Sequence, residues 1–150
     1  KSMDWDYVGN NCQMIKYNVG LVCPDSSTRF ISRIRKRQVT TGTATEFSLT
    51  YNGNYLSLPI ISFIANQGGA ITTCTLKNLT TGDTMAYVGT VPTNVALDID
   101  CNLGTVFNSS ISDFTNFGTS DFIKLVRGTN YFRYSGTPCQ VNVDYFERYL

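Results

Sequence analysis

One hundred and fifty residues carrying a formal net charge of +1 leave room for one domain with a real core. That balance argues against a nucleic-acid partner or a membrane surface, and no apolar run approaches the roughly 18 residues that a span requires. An apolar fraction of 42% with 15% charged residues, nine Tyr, nine Phe and many Thr favours pleated sheet over helix.

Residues 1–28 show no sustained pattern. Tyr7-Val8, Met14-Ile15-Lys16-Tyr17 and Gly20-Leu21-Val22-Cys23 read as short strands of an arm or a peripheral hairpin. The first twenty residues are polar and tyrosine-rich, unlike a secretion signal. Lys1-Ser2 stands ahead of Met3, which fits an expression scar, a processing site or an excised fragment. Residues 29–39 are extended and basic. Arg29, Arg33, Arg35, Lys36 and Arg37 place five of the twelve basic residues within nine positions, whereas Asn78 to Ile123 holds five aspartates and no basic residue. The plain reading of the basic run is a solvated edge strand, where charge discourages edge-to-edge pairing. The sharper one is a docking patch for a partner, and nucleic acid comes third. Ile31 and Ile34 interrupt the run, so it is no polybasic tail.

Thr40-Thr41-Gly42-Thr43 reads as a turn into the main domain. A strand over 45–51 alternates Phe47, Leu49 and Tyr51 against Glu46, Ser48 and Thr50, and Asn52-Gly53 follows as the strongest short-range turn signal in reach. Pro59 suits the start of a strand over 60–65, apolar enough to be buried on both faces. Strands over 71–76 and 84–88 flank the turn Thr80-Thr81-Gly82-Asp83. Residues 94–106 are the clearest stretch. Val95, Leu97, Ile99 and Cys101 fall on one side of a strand and Asp98 and Asp100 on the other, before the turn Asn102-Leu103-Gly104 and a return strand. Residues 108–120 form a polar loop that Ile111, Phe114 and Phe117 would pin to the body. A hairpin then joins 122–126 to 130–134 through Arg127-Gly128-Thr129, and a last strand runs over 139–149. About nine strands at this spacing, without helical period, predict an antiparallel β-sandwich of jelly-roll type. The domain reading is an arm or connecting segment over 1–39 and a β-sandwich over 40–150.

Five cysteines, none in a Cys-x-x-Cys pair and with no histidine in the chain, offer no zinc spacing. Cys101 and Cys139 share faces with apolar neighbours and read as small buried hydrophobes. An odd count without a secretion signal fits assembly in a reducing cytoplasm, without disulfides. The absence of histidine removes the usual acyl-transfer triad, and no phosphate loop is present. Asp98 and Asp100 have a spacing that overlaps glycosidase carboxylates, but one exposed strand face is ordinary solvated surface. The sequons at Asn78 and Asn108 read as chance matches. No catalytic residue, cofactor or metal is expected. A glycan ligand stays open, though no residue carries it specifically, Trp5 being the only tryptophan.

The order of motifs says more than any one of them. Asn52-Gly53 leading to Pro59-Ile60, then Asn78-Leu79-Thr80-Thr81-Gly82, then Leu97-Asp98-Ile99-Asp100-Cys101 with Gly104-Thr105-Val106, then Arg127-Gly128-Thr129-Asn130 with Tyr134-Ser135-Gly136, end in a Val141-x-Val143-x-Tyr145 closing strand. Together, over about 40–150, they resemble the C-terminal domain of siphophage distal tail proteins and related tail components. Arg127 stands where that pattern often has Pro.

The resemblance implies a galectin-like β-sandwich, a virion structural role at the tail tip or baseplate, and no enzyme. Gly53, Gly82, Gly128 and Asn130 would set turns, and Leu97, Ile99 and Val106 would be core. It also implies a homo-oligomeric ring, partners among the tail tube, the hub or tape measure and the receptor-binding protein, and assembly in the host cytoplasm. Residues 1–39 are too short for the ring-forming domain of a full distal tail protein, so the chain is either a fragment or a reduced relative. The candidate assembly contacts are Arg33, Arg35, Lys36 and Arg37. The alternative is a carbohydrate-binding module for host surface glycans, which would carry exposed aromatics on one concave face.

Overall fold

The computed structural model describes residues 28–29, 33–40, 44–65, 69–118 and 120–149. The arm over 1–27, including Trp5, Cys12 and Cys23, lies outside them, as do the Thr41-Gly42-Thr43 part of the first expected turn and residues 66–68. In chain order the strands are β1 (Thr28–Arg29), β2 (Ile34–Val39), β3 (Thr45–Tyr51), β4 (Ile60–Ile64), β5 (Ile71–Asn78), β6 (Thr84–Val91), β7 (Ala96–Asp100), β8 (Thr105–Asn108) and β9 (Ile111–Ser112). A 3-10 turn, Phe114–Phe117, precedes β10 (Gly128–Gly136), β11 (Gln140–Tyr145) and β12 (Arg148–Tyr149).

Two antiparallel sheets stack into a sandwich. One runs β3-β10-β5-β6, the other β2-β11-β4-β7-β8-β9, and β1 pairs with β12 beside them. The period-two pattern read from the sequence fills the space between the sheets. Leu49, Tyr51, Phe132, Leu76, Met85 and Tyr87 point in from the first sheet; Ile61, Phe63, Leu97, Ile99, Val106, Val141 and Val143 point in from the second. Aromatic contacts lock the layers together, with Tyr51 edge-on to Tyr145 at 5.8 Å and Phe63 tilted on Tyr134 at 6.1 Å. The clear stretch at 94–106 takes the expected form: β7 lies inside the larger sheet, and Gly104 turns it into β8 with a φ of 65°.

Several expectations need correction. Asn52-Gly53 makes no hairpin, because β3 pairs with β10 and the chain passes instead to the other sheet. Gly53 is needed for closeness rather than for a turn. A Cβ there would sit 2.2 Å from Tyr51 Oη and 2.5 Å from the Arg148 carbonyl oxygen.

The strand expected over 122–126 is an irregular extended segment with one bridge, Leu125 to Ser57. Side chains take its backbone groups before a ladder can. Asp83 accepts from Lys124 N–H, Asn78 Nδ2 donates to Lys124 C=O, and Asn130 bonds both N–H and C=O of Val126. Asn130 sets this turn as expected, with Gly128 at a φ of 98°.

β4 is buried on one face only; Ile60, Ser62 and Ile64 are half-buried on the other. Of the three apolar groups expected to pin the 108–120 loop, Phe117 is buried and stacked on Phe122 at 5.1 Å, Phe114 packs its ring on both at 5.8 and 6.4 Å, and Ile111 does not take part. Ile111 is 71% exposed and Phe114 50% exposed. The closing strand is broken into β11 and β12. Finally, β2 lies ahead of the expected boundary at residue 40, yet it pairs with β11 from Ile34 to Val39. The described sandwich takes in β2.

Candidate assembly surface

β2 is the terminal strand of the six-stranded sheet, so its charges stand at an edge. Alternation divides them. Arg35 and Arg37 lie in register with Asp144 and Asn142, on the outer face; Lys36 lies opposite Val143, on the side that faces the core elsewhere in the sheet.

Arg35 makes a bidentate pair with Asp144, Nε to Oδ1 and Nη2 to Oδ2, both 2.7 Å. Arg33, one residue ahead of the strand, reaches the same carboxylate at 2.8 Å. The Asp144 side chain is almost fully buried, whereas both guanidiniums are about half exposed. The hydrogen bond and charge of Asp144 raise the Arg35 pKa above its already high ordinary value. Two of the four candidate contacts therefore clamp β2 onto β11. Lys36 and Arg37 are exposed and have no ion pair among the described residues.

Sequence reasoning missed the other half of this clamp. Gln140, Asn142 and Asp144 all face outward on β11, yet all are buried, and Gln140 Nε2 donates to Asn142 Oδ1 at 2.9 Å. A signal was present. Arginines at 33, 35 and 37 share one strand face, and a closing strand alternating Val with Asn and Asp offers the acid to match them.

The opposite side of the sandwich has another character. There β6 ends the four-stranded sheet, β9 ends the six-stranded one, and the 3-10 turn bridges them. Tyr87 donates to Asp113 Oδ2 at 2.5 Å, Asn116 Nδ2 donates to Asp113 Oδ1 at 2.8 Å, and Asn108 Nδ2 donates to the Thr90 carbonyl at 2.9 Å. Burial, then the bond to Asp113, pushes the Tyr87 pKa up to about 12; the bonds from Tyr87 and Asn116 hold Asp113 below its ordinary value. Asn108 belongs to this network and Asn78 is fully buried, so both sequon asparagines have structural roles.

The aspartates weighed for catalysis are likewise engaged. Asp98 accepts from Ser62 Oγ at 2.5 Å, and Asp100 accepts from the backbone N–H of Asn102 and Leu103 at 2.8 and 2.9 Å, closing the β7–β8 turn. Cys74, Cys101 and Cys139 are free thiols in the core; burial pushes Cys101 up to about 12 and raises the other two as well. Among the described residues no group of His, Cys, Asp or Glu is placed to hold a metal.

The family model described as the siphovirus-type tail component, C-terminal domain, matches residues 52–149, more than half of the chain. The chain belongs to that family. Among solved structures this tail component is similar to the Dit protein (gp 19.1) of phage SPP1, described as a paradigm of the hub adsorption apparatus in phages infecting Gram-positive bacteria. The TM-score is 0.64 at 13% identity, covering 79% of this chain and 48% of that one. At that identity the likeness establishes a shared fold, and the tail component spans about half the length of the SPP1 protein. A comparison with curated proteins found no match. The resemblance read from the motifs and the β-sandwich it implied both hold.

Proposed function

We propose that this virion protein sits at the tip of a siphophage tail, as a structural subunit of a ring that joins the tube to the hub and the receptor-binding protein. The observation that carries the reading is the family match over 52–149, laid on a sandwich whose core residues are those the motifs mark. The subunit has a structural rather than a catalytic role, in keeping with Asp98 and Asp100 serving surface and turn hydrogen bonds. Folding and assembly take place in the host cytoplasm, where three buried free thiols stay reduced. Lys36 and Arg37 are the assembly contacts of the β2 edge; Arg33 and Arg35 hold that edge in place.

The glycan-binding alternative gains no support from the exposed aromatics. Tyr131 stands on the outer face of the four-stranded sheet, Phe107 on the outer face of the six-stranded sheet, and Phe114 on the turn between them. No single face among the described residues carries an aromatic platform.

Immunogold electron microscopy of intact particles, with antibody against this chain, tests the assignment. Gold at one end of the tail is the expected result. Gold absent from the particles, with the chain free in the lysate, would overturn it.

A further inference from the structure

The two sheets differ in width, and the difference leaves a slot. Tyr145 of β11 meets β3 at Tyr51 and Thr50, and Phe63 of β4 meets Tyr134 of β10. So β3 lies across from β11, and β10 across from β4. β2 stands beyond β11, where the four-stranded sheet has already ended at β3. Its inner side chains show the consequence. Ile34 and Lys36 lie in register with Tyr145 and Val143, on the face that is buried elsewhere in the sheet, yet both are exposed.

β3 is also open along its outer edge. Tyr131 of β10 turns its backbone toward the β5–β6 connection: its C=O accepts from Leu79 N–H at 2.7 Å, and its N–H donates to Thr80 Oγ1 at 3.0 Å. Alternation in an antiparallel ladder then points Asn130 and Phe132 at β3, where their partners are Leu49 and Phe47. Glu46, Ser48 and Thr50 therefore aim their N–H and C=O groups out of the sheet. Tyr145 Oη donates to the Thr50 carbonyl at 3.1 Å, but among the described residues nothing bonds the backbone of Glu46 or Ser48.

The other edges are protected. β2 carries a run of charge, β9 is two residues long, and Ser120 Oγ bonds both N–H and C=O of Ala86 on β6. β3 runs for seven residues with one charged side chain, Glu46, which Arg133 engages on the outer face. Such an edge is a template for one more strand.

Both sides of that added strand would meet defined chemistry. Phe63 is in register with Val141, and Tyr134 with Thr45, so β11 runs alongside β3 from Val141 near Thr45 to Tyr145 at Thr50. Lys36, opposite Val143, falls abreast of the middle of β3 and has no ion pair among the described residues. On the outer side a groove of about 540 Å³ is lined by Phe47, Ser48, Leu79 and Tyr131 among others, with Leu79 39% and Tyr131 57% exposed.

We infer that the β3 edge takes an extended segment of a different protein by strand addition, one whose acidic side chains turn in toward Lys36 and whose alternate apolar side chains turn out over the groove. Charge decides against a second copy as occupant. Another β3 would turn Phe47 and Leu49 toward Lys36, and another β2 would bring more positive charge. The stretch of this chain with the fitting alternation, Leu97-Asp98-Ile99-Asp100, is locked inside the larger sheet. This inference rests on Lys36 as an assembly contact, proposed above, and names what Lys36 contacts.

The test is a titration of the isotope-labelled full chain, followed by amide NMR, with a blocked peptide of alternating valine and aspartate as long as β3. Saturable shifts should centre on Glu46, Ser48 and Thr50, with a dissociation constant of about 1 mM or tighter, and amide exchange at Glu46 and Ser48 should slow. The same peptide with lysine for aspartate should bind roughly tenfold more weakly, and Lys36→Glu should reverse that preference. Ser48→Pro should weaken both peptides while keeping the β10 ladder, since the Ser48 N–H faces away from it. Circular dichroism checks that each variant is folded. No saturable binding, shifts centred away from β3, or a preference that Lys36→Glu leaves unchanged would overturn the proposal. So would self-association of the wild type through the β3 amides, which would give the slot to a second copy. Immunogold on particles separates this from the broader reading. Gold at the tail end with no peptide binding removes the slot alone, and peptide binding with gold on no particle removes the tail-tip assignment alone.

Discussion

Asp144 shows how one buried acid decides what its neighbours can do. Its carboxylate is withdrawn from water on the outer face of β11 and is held by two half-exposed guanidiniums. Removing Arg33 and Arg35 leaves a buried charge with neither partner; neutralising the acid instead leaves two arginines that can turn to water. Arg33→Ala/Arg35→Ala should therefore lower the urea midpoint more than Asp144→Asn does. Adding Asp144→Asn to the double variant should recover part of the loss. A further fall in the triple variant would refute the clamp. Replacing all basic residues of the strand at once would mix this effect with any loss of assembly, which is why Lys36 and Arg37 are the informative pair. Asp113 gives the pH counterpart. Tyr87 and Asn116 stabilise its ionised form and depress its pKa in the folded state below the ordinary 3.8. Its contribution is thus complete above about 3.8 and is lost as pH falls through the lower folded value. Urea midpoints of wild type and Asp113→Asn should differ at neutral pH and converge as the solution is made more acid than that. A constant difference would show that the stabilisation is not ionic.

Among the elements, those with strict alternation were legible and those held by side chains were not. β3, β5, β6, β7 and β8 follow from their apolar periods, and β2 from its extended basic run. At 122–126 the alternation of Ile123 and Leu125 is real and both are buried, but buried asparagines and Asp83 capture the backbone that a ladder would have used. Alternation reports which side chains are inside; it does not report where the backbone hydrogen bonds go. Asn52-Gly53 misled in the same way, since a glycine required by the approach of Tyr51 and Arg148 looks like a glycine required by a turn. Asn130 is the residue on which this irregular region depends. Its side chain accepts from Val126 N–H and donates to the carbonyls of Val126 and Gly128, and its oxygen lies 3.3 Å from Asn78 Nδ2. Asn130→Ala strands these groups in a buried setting and should cost about 2–3 kcal/mol in equilibrium unfolding. Asn130→Asp keeps the acceptor but sets a carboxylate oxygen against the carbonyls of Val126 and Gly128 in a buried setting, so it should cost at least as much. A loss within about 0.5 kcal/mol for Asn130→Ala, the range of ordinary surface substitutions, would mean that water replaces the side chain.

For the whole molecule, the family was legible because its motifs are turns and core positions in a fixed order, which survive even where a single turn is used differently. The assembly surface was only half legible. Composition exposed the basic run, but its placement on a terminal strand held by Asp144 of β11 depends on the β2-β11-β4-β7-β8-β9 order, which no local pattern encodes. The core offers a test of whether the sandwich behaves as one cooperative body. Cys74 lies on β5, Cys101 just after β7 and Cys139 just before β11, so the thiols sample both sheets from within a continuous apolar cluster. Burial raises all three thiol pKa values and keeps them protonated and out of reach at neutral pH. In the native protein, alkylation followed by peptide mapping should find these three cysteines protected, with labelling rates that converge on a single slow value set by global opening. Asn130→Ala should speed all three by the same factor, because it weakens the body they share. If Cys139 were labelled ahead of the others, β11 would be opening on its own. The β2 edge that it carries would then be a separately mobile element rather than part of one rigid sandwich.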